Sequence, residues 1–210
     1  MWQDGQNTPS ALAAIAAGFA AMAASNNSEP IFYFKDPAGN VVPVPALVFC
    51  CLAANFTGTN VATAQPVFNA TPNGAVTLAA TTTYLMIASY NIQDTGATSH
   101  SLATLFGGTA TLTSIMYQAH ASQAATNVLA AVSAILATAA TAVTVTPAVA
   151  TATVDNILLI GVVRVNAGGT FIPQFQFSAA PGAAPTITAG SMILLIPVGS
   201  NTAASAGLWT

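Results

Sequence analysis

Charge is what this sequence most lacks. Of its 210 residues only two are basic, Lys35 and Arg164, and five acidic, Asp4, Glu29, Asp36, Asp94 and Asp155. That is 3% charged, against roughly 25% in an ordinary soluble domain. Two cations cannot neutralise a run of phosphates, so nucleic-acid binding by counterion release is excluded as a main activity. The same shortage removes polybasic attraction to anionic membranes. The net charge of −3 is too small and too scattered to steer a ligand. A surface so poor in charge is weakly protected against self-association, and the expectation is a protein that lives assembled.

Cysteine is scarce too. Cys50 and Cys51 are adjacent, so in a strand they point to opposite faces and a bridge between them would be strained. They read as two small buried hydrophobes, and no disulfide framework is expected. Hydrophobic residues make up 54%, but the most membrane-like stretch, 128–145, is built of Ala, Thr and Val, meets Pro147, and has no flanking Lys or Arg. Its second half alternates as a strand does, so no membrane insertion is expected. Met1-Trp2-Gln3-Asp4 supplies no basic leader region, and no signal peptide is expected.

What is present divides at about residue 46. In the expected N-terminal arm, 1–46, the span 8–25 predicts a helix: Thr8 as cap, Pro9 in the first turn, and Leu12, Ile15, Phe19 and Met22 three, four and three apart among alanines. Such a helix would pack on its own domain, lie on a symmetry axis or dock on a larger partner. Asn26-Asn27-Ser28 would end it. A hairpin over 31–44 follows, with Phe32 and Phe34 on its first strand, Asp36-Pro37-Ala38-Gly39-Asn40 as turn, and Pro43 and Pro45 marking an edge.

Residues 47–210 are uniform in texture: β-branched and aromatic runs separated by Gly, Pro, Asn and Ser. Strands are expected at 47–54, 75–78, 84–90, 110–117, 142–146, 157–165, 170–177 and 191–198, the pattern of a sandwich or barrel. Phe171, Pro173, Phe175 and Phe177 share one face, with Gln174 and Gln176 on the other. Gly107-Gly108 and Gly168-Gly169 read as hairpin turns; over 119–140 strand, helix and loop stay open. With one lysine to blunt exposed strand edges, the chain is expected to have neighbouring subunits cover them.

Catalytic chemistry finds few groups. Asp36 and Asp94 lie in turn sequences, Asp4 and Glu29 in terminal or linker positions, and Asp155 before a strand. A carboxylate pair from Asp94 and Asp155 is the one acid–base combination worth naming, and nothing else supports it. His100 and His120 are too few for a metal centre unless a three-fold axis supplies three copies of one. No Gly-x-Ser-x-Gly elbow, Walker loop or dinucleotide spacing occurs. With no catalytic constellation, metal or cofactor indicated, the chain reads as a structural or binding protein.

The stretch Gly161-Val162-Val163-Arg164-Val165-Asn166-Ala167-Gly168-Gly169-Thr170-Phe171-Ile172-Pro173-Gln174-Phe175-Gln176-Phe177-Ser178, followed by Ala189-Gly190-Ser191, resembles a domain common in tailed-bacteriophage structural proteins. Thr63-Ala64-Gln65-Pro66-Val67-Phe68, Leu78-Ala79-Ala80-Thr81-Thr82-Thr83-Tyr84 and Phe106-Gly107-Gly108-Thr109-Ala110-Thr111 are similar to the same family. The resemblance covers about residues 50–210. It implies an all-β, trimeric jelly roll of the tumour-necrosis-factor-like kind, as found at fibre tips and in capsid decorations, with no catalytic residues to carry over. Long fibres place a stalk before this domain, whereas 1–46 is short.

The expected protein is therefore a homotrimeric capsid decoration or head-fibre protein of the virion, assembled in the bacterial host cytoplasm. Leu12, Ile15, Phe19, Met22, Phe32 and Phe34 would contact the major capsid protein or another virion protein, or the trimer itself. A short tail fibre or tail-tip receptor-binding protein is the alternative, separated by copy number per particle. A free carbohydrate-binding or enzymatic jelly roll is the third class. Uncharged loops with Tyr, Asn and Gln leave host-surface glycans open as a further partner.

Overall fold

The computed structural model describes residues 47–68, 74–123 and 141–202 in full, and the backbone of strands 20–24, 30–35, 41–43 and 132–136. The chain divides into two compact units, Met1–Leu47 and Val48–Thr210. Among the described residues every regular element is a strand.

In the first unit, β1 (Ala20–Ala24), β2 (Pro30–Lys35) and β3 (Val41–Pro43) make an antiparallel sheet in that order. This corrects the helix expected over 8–25. Its last part is strand, with Ala20 opposite Phe34, Met22 opposite Phe32 and Ala24 opposite Pro30. The preference of alanine for helix is below about 1 kcal/mol per residue and a short isolated helix is marginal. Pairing along the β-branched and aromatic run 31–34 satisfies the same backbone groups with a partner already extended. Leu12, Ile15 and Phe19 lie outside the described residues.

The second unit holds β4 (Val48–Cys51), β5 (Phe56–Thr57), β6 (Gln65–Pro66), β7 (Val76–Leu78), β8 (Thr82–Asp94) and β9 (Leu102–Gly107). There follow β10 (Thr111–Gln123), β11 (Val132–Leu136), β12 (Val143–Thr144), β13 (Thr153–Ala167), β14 (Gly169–Phe177), β15 (Thr186–Ile187) and β16 (Met192–Ser200). The larger antiparallel sheet runs β11-β10-β13-β8, and beyond β8 it continues as β16-β4 along one half and β15-β5 along the other. The smaller sheet runs β12-β9-β14-β6, with β7 also on β14.

The two sheets share one core, as in a β-sandwich. Period-2 alternation builds it: Tyr84, Met86, Tyr90 and Ile92 of β8, and Ile157, Leu159, Val163 and Val165 of β13, are all buried. Phe171, Phe175 and Phe177 meet them from β14. Phe106 of β9 stacks on Phe171 of its own sheet at 4.8 Å and links the layers edge-on to Tyr117 of β10 at 5.7 Å. Each large side chain so buried contributes about 1.5–3 kcal/mol.

The glycine pairs are not hairpin turns. Gly107-Gly108 leads from β9 in the smaller sheet to β10 in the larger, and Gly168-Gly169 leads from β13 in the larger to β14 in the smaller. These corners are tight: a Cβ on Gly108 would lie 2.1 Å from the Thr170 carbonyl oxygen, and its φ is +116°. Gly108→Ala is therefore expected to cost about 2–4 kcal/mol, read as a lower urea midpoint. An unchanged midpoint would contradict the close approach.

Candidate functional site

Alternation in the larger sheet leaves one face toward the core and one outside. The outer face of an antiparallel sheet in a sandwich is ordinarily polar; here three consecutive registers across it are largely apolar. One row reads Gln118, Ile160, Ile87, Leu194, Phe49 across β10, β13, β8, β16 and β4. The next reads Met116, Val162, Leu85, Ile196, and the one on the other side reads His120, Leu158, Ser89, Met192, Cys51. Phe49 is 58% exposed, Met116 49% and Ile160 45%. At strand spacings of about 4.8 Å the patch measures roughly 20 Å by 15–20 Å, the scale at which an exposed apolar patch marks an interaction surface. No carboxylate stands in these rows. Arg164 lies past their end, and its guanidinium donates to the Asn201 carbonyl.

The sequence carried a signal for this face. Ile157-Leu158-Leu159-Ile160, Met192-Ile193-Leu194-Leu195-Ile196 and Leu85-Met86-Ile87 are unbroken apolar runs, the mark of strands whose two faces are both destined for burial. Cys51 corrects the buried reading of the cysteines: both thiols are free, Cys51 is exposed on this outer face, and Cys50 is half-buried toward the core. Burial pushes the Cys50 thiol upward from its ordinary pKa, and neighbouring Cys51 adds to the rise.

A second polar feature lies inside one end of the sandwich. Asp94 ends β8 where the chain turns, and its side chain is buried; His100 and Asp155 are buried as well. Asp94 Oδ1 accepts from the Gly96 amide at 2.9 Å, and Oδ2 stands 3.1 Å from His100 Nε2. That second approach has ion-pair distance but is not aligned as a hydrogen bond. His100 Nδ1 lies 2.7 Å from the Thr98 carbonyl, and its ring is edge-on to Phe177 at 5.0 Å. Asp155 accepts from Thr153 Oγ1 at 3.1 Å. Desolvation lifts the Asp155 carboxyl to about 6, opposed by the Thr153 hydrogen bond and by His100. So the structure does bring Asp94 and Asp155 to one locality, with both side chains buried.

His120 is on the outer face, away from His100. Among the described residues no group of three or more His, Cys, Asp or Glu is placed to hold a metal ion. Among them, too, no helix is long and apolar enough to cross a membrane. Of the residues expected at a docking site, Met22, Phe32 and Phe34 fall on the β1–β2 ladder of the first unit.

Tyr90 is fully buried against Phe68, edge-on at 6.0 Å, and its hydroxyl finds no partner among the described residues. Burial raises its pKa and keeps the phenol neutral. Tyr90→Phe is expected to stabilise the fold by about 1 kcal/mol, because the unpaired hydroxyl is costly where it is. A loss of similar size on thermal melting would show that the hydroxyl is satisfied after all.

No family model, no curated protein and no solved structure matches the chain.

Proposed function

We propose that this chain is a structural protein of a tailed-bacteriophage virion: a homotrimeric capsid decoration or head-fibre protein that projects a jelly roll and docks on the shell through residues 1–46. The observation that carries the reading is the apolar outer face of β10, β13, β8, β16 and β4. A chain with seven formal charges has little else to keep such a face from self-association. Copies of the same chain are its best partner, since a neutral apolar surface complements itself.

Strand order supports the jelly roll. If β4, the split pair β6 and β7, β8, β9, β12, β13, β14 and β16 are numbered one to eight, one sheet reads 1-8-3-6 and the other 2-7-4-5. That is the order produced by wrapping four antiparallel pairs around a sandwich, with β10 and β11 added beside the sixth strand. The resemblance of residues 50–210 to phage structural domains supports the virion setting.

On this reading the three outer faces bury one another around a three-fold axis, which desolvates Ile160, Ile87, Leu194 and their neighbours. Leu12, Ile15, Phe19, Met22, Phe32 and Phe34 anchor the arm on the major capsid protein. A trimer seated across subunit boundaries stabilises the shell by binding only the assembled form. The test is the mass of the purified chain by light scattering after size exclusion. Three times 20.9 kDa, about 63 kDa, supports the reading, and a well-behaved monomer overturns it. Copy number on purified particles then decides its position: many copies for a decoration, a handful for a tail tip.

A further inference from the structure

The cluster inside the end of the sandwich lies apart from the apolar outer face and buries two acids and one base. The segments around it are tied to one another. His100 and Val149 exchange backbone hydrogen bonds at 2.9 Å, the Thr98 amide donates to the Pro181 carbonyl at 2.9 Å, and the Leu102 amide donates to Thr146 Oγ1 at 2.9 Å. Asp94 and Thr153 are cross-strand partners, as are Asp155 and Gln123.

Protons are needed to balance this arrangement. A carbonyl only accepts, so the contact with Thr98 puts a proton on His100 Nδ1. A neutral imidazole would then leave a bare Nε2 3.1 Å from Asp94 Oδ2, two buried acceptors side by side. A proton on either partner relieves that repulsion. Asp155 remains. Its Oδ1 is buried with no hydrogen-bond partner among the described residues, as are Asp94 Oδ2 and His100 Nε2. The groups facing Asp155 are His100 from the loop after β8, Asp94 at the end of β8, Thr153 on its own strand and Gln123 across on β10. Tyr90 and Tyr117, further along β8 and β10, are neutral phenols with raised pKa values. Two acids share this dry end with a single base, so the cluster is neutral only when at least one acid holds a proton.

We propose that Asp94, His100 and Asp155 form a proton-dependent latch that clamps residues 95–101 and 147–150 onto the start of β13, closed in acid and loosened as the pH rises. The sign follows from Asp155. Its carboxyl titrates near 6 in the closed state and near 4 when exposed. The closing free energy is therefore fully present below about 4 and is lost as the pH climbs through about 6. Two units correspond to about a 100-fold change in the closed-to-open ratio.

The test is hydrogen exchange of the full chain at pH 4 and pH 7, corrected for intrinsic rates. Amides at 98–102 and 149–155 are expected to lose up to about 100-fold in protection relative to the Phe171–Phe177 region. Asp155→Asn, which stays neutral, is expected to shrink that difference to what the Asp94–His100 contact contributes. Equal protection at both pH values, or a pH response unchanged in the variant, overturns the latch. If Asp155→Asn fails to fold, carbon-13 NMR of the wild-type Asp155 carboxyl decides. Titration near 6 supports the latch, and titration near 4 overturns it.

Discussion

Ile160→Asp combined with Leu194→Asp is expected to turn a particle of about 63 kDa, three times 20.9 kDa, into a monomer that keeps its β-sheet circular dichroism. Both side chains point outward and flank Ile87 in one row of the larger sheet, so neither substitution enters the core. In an assembled face each loses about 1.5–3 kcal/mol of burial per copy. Each also places a carboxylate in a dry contact, at a further cost of several kcal/mol. Every 1.4 kcal/mol is about tenfold in affinity, so the pair exceeds what a micromolar solution can sustain. Gln93→Asp on the same face but beyond the apolar rows is the control, expected to leave the mass unchanged. A double variant still near 63 kDa would move the interface elsewhere on the molecule.

Phe106→Ala is expected to have the largest effect on the fold itself, about 3–5 kcal/mol. Phe106 is 1% exposed, stacks on Phe171 of its own sheet and reaches Tyr117 of the other. Removing the ring deletes its transfer free energy, opens a cavity between layers that glycine corners hold in place, and forfeits the aromatic geometry. Against a typical total of 5–15 kcal/mol, that loss puts the variant near the edge of folding. Urea titration at one fixed protein concentration measures it, since an oligomer's stability depends on concentration. A loss below about 1 kcal/mol would mean that the sheets close over the gap.

Much of the core was legible in the order of the residues. Phe171, Pro173, Phe175 and Phe177 alternate with Thr170, Ile172, Gln174 and Gln176, and the structure buries the first set. Each of the eight expected strands overlaps one that exists, although β8, β10, β13, β14 and β16 run past the expected bounds, and β9 was not expected. Strands such as β5, β6 and β15 have two residues each, too few to show any period. β6 and β15 form on the edges of the longer β14 and β8, and β5 then pairs with β15. The alanines of β1 pointed to helix because local propensity is all that a single segment reveals.

The outer face and the latch were harder to read. Asp94 sits in Gln93-Asp94-Thr95-Gly96, a turn by composition, and only its pairing with Thr153 on a strand far along the chain shows it as an inward residue. The apolar runs announced two buried faces but named no partner for the second.

The amino-acid order alone determined the all-β class, the shortage of charge and the residues that alternate into the core. These are local or additive properties, and a period of two is visible without any partner. Only the tertiary structure decided which sheet each strand joins, that the glycine pairs cross between layers, that Asp94, His100 and Asp155 meet, and that five strands line up their outer apolar residues in register. Those are long-range pairings, and a shift of one residue in any of them would turn its side chains to the opposite face.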